Sequence, residues 1–125
     1  MRKIETEFST RDGGHYVPGM VHNGLLFVSG QLSIDPATGE KAGTVVDEAR
    51  QALKNLDLVL KEAGCTKEDV IQCRVYIPDV AYWPDLNKAY SEYFGDHKPA
   101  RVVVPSNNLY DGCLVEIEAV AKVEE

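Results

Sequence analysis

The sequence predicts an α+β fold in which two helices cover one face of a β-sheet. The last quarter of the chain contains two runs rich in β-branched residues, 101–104 and 114–123. In the second run, one set of alternate positions is apolar, which is the period of two of a β-strand with one buried face. A long amphipathic stripe occupies 47–63, and a second helical segment begins near Pro84. A chain of 125 residues has room for one domain, which we take to span residues 1–125.

Two turns organise the N-terminal part of this fold. A short apolar run at 25–29 is entered through Asn23-Gly24, a dipeptide typical of tight β-hairpin turns. Residues 35–39 place aspartate first, proline second and glycine at the exit, which is the pattern of a reverse turn. We therefore expect a strand at 25–29 that is followed by a surface turn.

The clearest helix runs from Asp47 to about Ala63 and ends at Gly64. Its apolar stripe consists of Ala49, Ala52, Leu53, Leu56, Val59, Leu60 and Ala63. Much of the remaining, polar surface is assigned to Glu48, Gln51, Lys54, Asp57 and Lys61.

The rest of the chain alternates strands with a second helix. A capped turn at 66–69 leads into a strand at 70–77. The second helix has Pro84 in its first turn and ends at Phe94-Gly95. We expect its inner face to contain Leu86, Tyr90 and Tyr93. The strands at 101–104 and 114–123 then complete the order strands, helix, strand, helix, two strands.

Charged residues mark the sheet face that the helices leave uncovered. Alternation in the last strand places Glu116 and Glu118 opposite its apolar row. Arg101 opens the preceding strand, so pairing of these two strands would put a guanidinium and a carboxylate on one face. We expect this mixed face to lie in a subunit interface. A solvated face with surface glutamates is the alternative.

Each candidate site residue has both a functional and a structural interpretation. In the structural interpretation, Arg101 and Glu116 form a cross-strand ion pair that holds two strands together. In the functional interpretation, Arg101 binds a substrate carboxylate and Glu116 is a general base. Gly30 indicates either a bulge or the close approach of a ligand to the backbone. Tyr16 and Asn87 could both line a pocket. The alternative is that Tyr16 is a packed aromatic and Asn87 an amide on a helix surface. These alternatives stay open on the residues alone.

Composition excludes several classes of partner. The net charge of -7, from 13 basic and 20 acidic residues, disfavours a nucleic-acid or anionic-membrane surface. No run approaches the roughly 18 apolar residues of a membrane span, and residues 1–7 lack the apolar core of a signal peptide, so we expect a cytosolic protein. The histidines have no metal-ligand spacing. The widely spaced cysteines are expected to be small buried hydrophobes: Cys65, Cys73 and Cys113.

Several segments together resemble the RidA/YjgF family of small enamine/imine deaminases. They occur in family order and cover nearly the whole chain: 27–31 with 35–40, 49–56, 75–77 before Asp79, 87–94, 99–101 and 115–119. The resemblance implies a six-stranded mixed sheet with two helices on one face, similar to chorismate mutase. It also implies a homotrimer whose sheets form a central barrel, with a pocket at each subunit interface.

The activity that the resemblance implies is hydrolysis of 2-enamine and 2-imine acids, released by pyridoxal-phosphate enzymes, to 2-keto acids and ammonia. No cofactor and no metal is implied. Arg101 matches the family arginine that holds the substrate carboxylate, and Glu116 matches the carboxylate that activates the attacking water. The implied pocket residues are Tyr16, Ser29, Gly30 and Asn87.

Two positions depart from the family pattern. Val103, on the same strand face as Arg101, stands where cysteine, threonine or serine is usual, and Val17-Pro18 follow Tyr16 where a Ser-Gln pair is common. We infer a drier pocket, suited to a bulkier or more apolar imino acid, or a reduced activity. Two other functions stay open: a non-catalytic trimer that binds a small carboxylate and regulates partner proteins, and RNA cleavage, which the acidic charge disfavours.

Overall fold

The computed structural model describes residues 1–9 and 13–124 and contains one six-stranded sheet with two helices. The strands are β1 (Arg2–Ile4), β2 (Gly19–His22), β3 (Leu25–Leu32), β4 (Val70–Ile77), β5 (Ala100–Pro105) and β6 (Glu116–Lys122). The helices are α1 (Val45–Glu62) and α2 (Trp83–Phe94). Across the sheet the strand order is β1-β2-β3-β6-β4-β5. The predicted α+β class is confirmed.

The sheet is mixed because β4 and β5 are parallel, whereas β4 and β6 are antiparallel. The chain leaves β4, forms α2 and returns as β5, and a helical crossover of this kind connects parallel neighbours. The last strand, β6, then inserts between β3 and β4. The two strands of the last quarter are therefore separated by β4 and do not pair.

The predicted turns are present. Asn23 and Gly24 have φ of 52° and 74° and join β2 to β3, which is the geometry of a tight hairpin. In the turn at 35–39 the amide of Gly39 donates to the carbonyl of Asp35 at 2.7 Å. The strand predicted at 25–29 extends to Leu32, through a register shift between Val28 and Gln31 in its pairing with β6.

Both helices match their sequence signals, with small shifts at the ends. α1 begins at Val45, two residues earlier than predicted, because Thr44 caps it by accepting a hydrogen bond from the Asp47 amide. Gly64 follows α1 with φ of 80°, and Gly95 follows α2 with φ of 61°. None of the helices in the described residues is long and apolar enough to cross a membrane.

The assignment of Glu48 to the polar surface of α1 is wrong. Its side chain is 2% exposed. Its carboxylate accepts hydrogen bonds from the Gly43 amide at 2.9 Å, the Leu114 amide at 3.0 Å and the Ser33 hydroxyl at 2.8 Å. These three donors come from loops that close over the start of α1, and they replace the water that the carboxylate loses on burial.

The two sheet faces differ in composition as the alternation of β6 predicts. The face under the helices is apolar and buried, and β4 and β6 contribute to it Cys73, Val75, Ile77, Ile117, Ala119 and Ala121. The other face, called the open face below, carries Phe27 and Val102, which are 47% and 46% exposed, together with charged residues. Phe27 on β3 and Val102 on β5 are separated by β6 and β4, so the open face is a mixed apolar and charged surface. Its burial in a subunit interface stays a prediction.

Candidate functional site

Arg101 and Glu116 do not share a sheet face, contrary to the prediction from sequence. In β4, Cys73 is paired with both Arg101 and Ala119, so Arg101 points to the helix face. Tyr76 is paired with Glu116, which points to the open face. The prediction failed because it assumed that strands adjacent in sequence are adjacent in the sheet, whereas β4 lies between them.

On the helix face, α2 surrounds the guanidinium of Arg101. An Nη1 hydrogen of Arg101 is donated to Oδ1 of Asn87 at 2.9 Å. The guanidinium carbon lies 4.7 Å from the ring centroid of Tyr90 and 5.1 Å from that of Trp83. Among the side chains that the structure describes, no carboxylate forms an ion pair with Arg101. Its positive charge is thus available to an anionic ligand.

Val103 extends the same strand face. Its pairing with Val75 directs it toward the helices, where it packs against the edge of the core. The surface beside Arg101 is therefore apolar at the position where the resemblance leads us to expect a hydrogen-bonding side chain. We refer to Arg101, Asn87 and Val103 as the arginine half-site.

On the open face, Glu116 is half-buried and lies against Gly30. A Cβ atom built on Gly30 would be 2.5 Å from Oε2 of Glu116, so only glycine fits at this position without moving the carboxylate. Gly30 also lies within the register shift of β3, so the interpretation of this glycine as a bulge is confirmed. The group that approaches it closely is the Glu116 side chain, and the approach of a ligand stays a prediction.

The carboxylate of Glu116 has no hydrogen-bond donor and no ion-pair partner within residues 1–9 and 13–124. Burial raises the pKa of this carboxyl, and the nearby negative charge of Glu118 raises it further. A carboxylate with a raised pKa is a stronger base, which suits a group that accepts a proton from water.

The neighbouring carboxylate, Glu118, is held in a different way. Its Oε1 accepts a hydrogen bond from Nη1 of Arg74 at 3.2 Å and another from the hydroxyl of Tyr76 at 2.8 Å. The cross-strand ion pair that the sequence left open for Arg101 and Glu116 is thus formed by Arg74 and Glu118. Sequence reasoning missed Arg74 and Tyr76, although alternation within 70–77 already places both on one face.

Ser29 and Tyr16 lie near Gly30. The hydroxyl of Ser29 donates to the carbonyl of Val17 at 2.7 Å, and its amide donates to the carbonyl of Pro18 at 2.9 Å. Tyr16, Pro18 and Gly30 line one cleft of about 350 Å³. Its apolar wall includes Phe8, Leu32, Ile34, Pro36, Leu58 and Val59. We refer to Glu116, Gly30, Ser29 and Tyr16 as the glutamate half-site.

The two half-sites are too far apart in one subunit to contact the same small molecule. β5 and β6 are two strand spacings apart, about 10 Å, and their functional side chains point to opposite faces. An α-imino acid spans only a few bonds between its carboxylate and its reactive carbon. A site that uses both Arg101 and Glu116 therefore needs a second copy of the chain.

The predicted burial of the three cysteines is confirmed for Cys65, Cys73 and Cys113. Burial raises the pKa of the Cys73 thiol to about 11, so it is protonated at neutral pH and is a poor nucleophile. In the described part of the chain no three histidine, cysteine, aspartate or glutamate side chains are grouped so that they could hold a metal ion.

Comparison with known proteins identifies the family. The family described as Endoribonuclease L-PSP matches residues 9–123. The chain belongs to the RidA/YjgF family. A RutC family protein of Pyrococcus horikoshii is 41% identical over 122 residues, which cover 97% of each chain. Human 2-iminobutanoate/2-iminopropanoate deaminase is 37% identical over 121 residues, which cover 96% of this chain and 88% of the human protein.

A solved structure of another RidA/YjgF relative, E. coli TdcF with bound serine, superimposes with a TM-score of 0.92 at 32% identity. The superposition covers 99% of this chain and 100% of TdcF. The six-stranded mixed sheet with two helices that the resemblance implied is thereby confirmed. Small-molecule binding and deaminase names thus both occur among relatives of this chain.

Proposed function

We propose that this protein hydrolyses reactive 2-imino and 2-enamino acids to 2-keto acids and ammonia. The observation that carries the proposal is the contrast between a guanidinium without an ion pair at Arg101 and a carboxylate of raised pKa at Glu116. One group suits a substrate carboxylate, and the other suits proton transfer from water. The name of the human relative supports this activity.

We also propose that the complete site forms between two copies of the chain, in the homotrimer that the family resemblance implies. The arginine half-site of one copy would then meet the glutamate half-site of its neighbour. Both half-sites border surfaces suited to such a contact, because β5 is an edge strand and the open face exposes Phe27 and Val102.

The mechanism follows from these two groups. Arg101 binds the substrate carboxylate and fixes the position of the imine carbon, with Asn87 holding the guanidinium. The substrate reacts as its protonated imine. Glu116 takes a proton from a water molecule while the water oxygen bonds to the imine carbon, and the product is a neutral carbinolamine. The protonated Glu116 then returns the proton to the amino group. The C–N bond breaks as the hydroxyl proton passes to the Glu116 carboxylate, the 2-keto acid and ammonia leave, and Glu116 releases its proton to solvent. The imine is already electrophilic, so water needs positioning and deprotonation more than strong activation.

The side chain of the preferred substrate is proposed to be apolar. Val103 adds an apolar surface beside Arg101, and apolar side chains form part of the lining of the cleft next to Gly30, together with polar ones such as Gln31 and Asn55. Asp35 is the one charged side chain in the described lining of the cleft, and Val103 offers no charge to a polar substrate side chain. We therefore expect imines of aliphatic or aromatic amino acids to be better substrates than those of small or polar ones.

A non-catalytic carboxylate-binding protein is the second candidate function. It is favoured by Val103, which removes a hydrogen-bonding group beside Arg101, and by the relative whose structure holds serine. RNA cleavage, the activity in the description of the matching family, is disfavoured by the net charge of -7. We propose no nucleic-acid or membrane partner.

The test is 2-keto acid release from imines generated in situ by an amino-acid oxidase, with semicarbazide as the competing trap. Wild type is compared with Glu116→Ala, and Glu118→Ala is the control because it removes a carboxylate from the same strand face. The proposal requires acceleration by wild type and a loss of about a hundredfold or more in Glu116→Ala. Binding of 2-oxobutanoate without acceleration of any small, aliphatic or aromatic imine would instead establish the binding function.

A further inference from the structure

Three side chains on one face of α2 contact the guanidinium of Arg101. Trp83, Asn87 and Tyr90 are spaced by four and three residues, which places them on the same side of the helix. Asn87 accepts a hydrogen bond from the guanidinium at its edge, while the two rings lie 5.1 Å and 4.7 Å from the guanidinium carbon. These distances are within the range of cation–π contacts.

We propose that Trp83 and Tyr90 are positioning residues that orient the Arg101 guanidinium for a substrate carboxylate. This inference rests on the proposed function, in which Arg101 binds that carboxylate. Aromatic rings contact the flat surface of a guanidinium, whereas a carboxylate binds its edge through two parallel hydrogen bonds. The rings therefore hold the plane of the guanidinium and leave its other edge donors to the ligand.

Arg101 needs this support because little else holds it. Within the described residues its side chain has one hydrogen-bond partner, Asn87, and no ion pair. It projects from β5, which is at the edge of the sheet. A long side chain that is free before binding must lose rotamer freedom when the ligand binds, and this entropy loss weakens binding. Stacking on the two rings restricts the side chain before the ligand arrives, so less entropy is lost on binding.

Tyr90 contributes through its ring and not through its hydroxyl. The ring is buried, and the hydroxyl interacts with the Cys73 thiol of β4 and makes no hydrogen bond to Arg101. The hydroxyl therefore does not hold the guanidinium, whereas the ring centroid lies 4.7 Å from the guanidinium carbon. The difference provides a matched control, because Tyr90→Phe keeps the ring and removes only the hydroxyl.

The experiment measures KM and kcat for one aliphatic imino acid, and 2-oxobutanoate binding by calorimetry, in the full chain. Trp83 is 39% exposed, so Trp83→Leu removes a ring without opening the core. We expect Trp83→Leu to raise KM and the 2-oxobutanoate Kd by about threefold to tenfold, with kcat close to wild type. Trp83→Phe and Tyr90→Phe keep a ring at each position and should stay within about twofold of wild type.

Arg101→Ala separates this inference from the proposed function. If Arg101→Ala binds 2-oxobutanoate as wild type does, then Arg101 is not the carboxylate ligand and the proposed function fails at that step. If Arg101→Ala loses binding while Trp83→Leu keeps the wild-type KM and the wild-type Kd for 2-oxobutanoate, the positioning role is overturned and the proposed function stands. An equal rise in KM for Trp83→Phe and Trp83→Leu would also overturn it, because the ring itself would then be irrelevant.

Discussion

The arginine half-site and the glutamate half-site hold their charged groups in opposite ways. The guanidinium of Arg101 is fixed by a hydrogen bond and two aromatic rings, although it has no ion pair among the described side chains. The pKa of the Glu116 carboxyl is raised by burial and by the negative charge of Glu118. A group that orients a ligand benefits from rigidity, whereas a group that exchanges protons benefits from an environment that disfavours its charge.

The strongest test of this comparison asks whether the two half-sites act across subunits. We expect Arg101→Ala and Glu116→Ala each to abolish turnover alone, and a co-expressed mixture of the two to recover it. With random mixing, about a quarter of the sites combine an intact Arg101 from one copy with an intact Glu116 from another. Imine hydrolysis by the purified mixture measures the recovery.

Complementation has a clear negative outcome. If both residues act within one copy, every site in a mixed assembly carries one substitution, and the mixture stays as inactive as its parts. Tagging the two variants differently and purifying through both tags ensures that mixed assemblies are measured. An inactive doubly purified sample would refute the composite site.

Gly30→Ala sharpens the comparison from the glutamate side. The added methyl group would lie 2.5 Å from Oε2 of Glu116, so the carboxylate must move. A displacement of about 1 Å in a catalytic group can cost about a hundredfold in rate, and we expect kcat to fall by roughly tenfold to a hundredfold. Binding of 2-oxobutanoate, for which we propose Arg101 as the ligand, should change far less.

The control for Gly30→Ala is thermal unfolding, because a variant that fails to fold would also lose activity. Gly30 is not among the glycines with positive φ, so alanine introduces no backbone strain there. An unchanged kcat with an unchanged melting temperature would show that Glu116 in its present position is not needed for turnover.

Glu118→Gln is expected to have the smallest effect, a shift in pH dependence. The negative charge of Glu118 raises the pKa of Glu116, so its removal lowers that pKa. In the proposed mechanism Glu116 acts as a base when it is deprotonated. The pH at which kcat falls on the acidic side should therefore be lower in Glu118→Gln. The rate at high pH, where Glu116 is fully deprotonated, should change little. A shift to higher pH would contradict the assigned role of Glu116.

The sequence predicted local structure well and strand order poorly. The Asn23-Gly24 hairpin, the stripe of α1 and the proline at the start of α2 are signals that neighbouring residues carry by themselves. The position of β6 between β3 and β4 is set by tertiary contacts between distant segments. Local patterns therefore gave the face of each residue within its own strand, but not which strands are neighbours.

The candidate site shows the same limit. The strand patterns singled out Arg101, Glu116 and Glu118, and the resemblance assigned roles to Arg101 and Glu116. Alternation put Glu116 on the face opposite the apolar row, which is the open face. The placement of Arg101 against α2 depends on the parallel pairing of β5 with β4, which no pattern in 99–104 encodes. The burial of Glu48 was also missed, because its donors come from residues up to 66 positions away in sequence.

The buried carboxylate of Glu48 has a consequence for local opening of the fold. It joins the loop before α1, the end of β3 and the segment entering β6 through the donors Gly43, Ser33 and Leu114. If any of these segments separates from the others, the buried Glu48 carboxylate loses a hydrogen-bond donor. We therefore expect the three segments to unfold locally as one unit. The amides of Gly43 and Leu114, 71 residues apart in sequence, are therefore expected to exchange with solvent deuterium at closely similar free energies of opening.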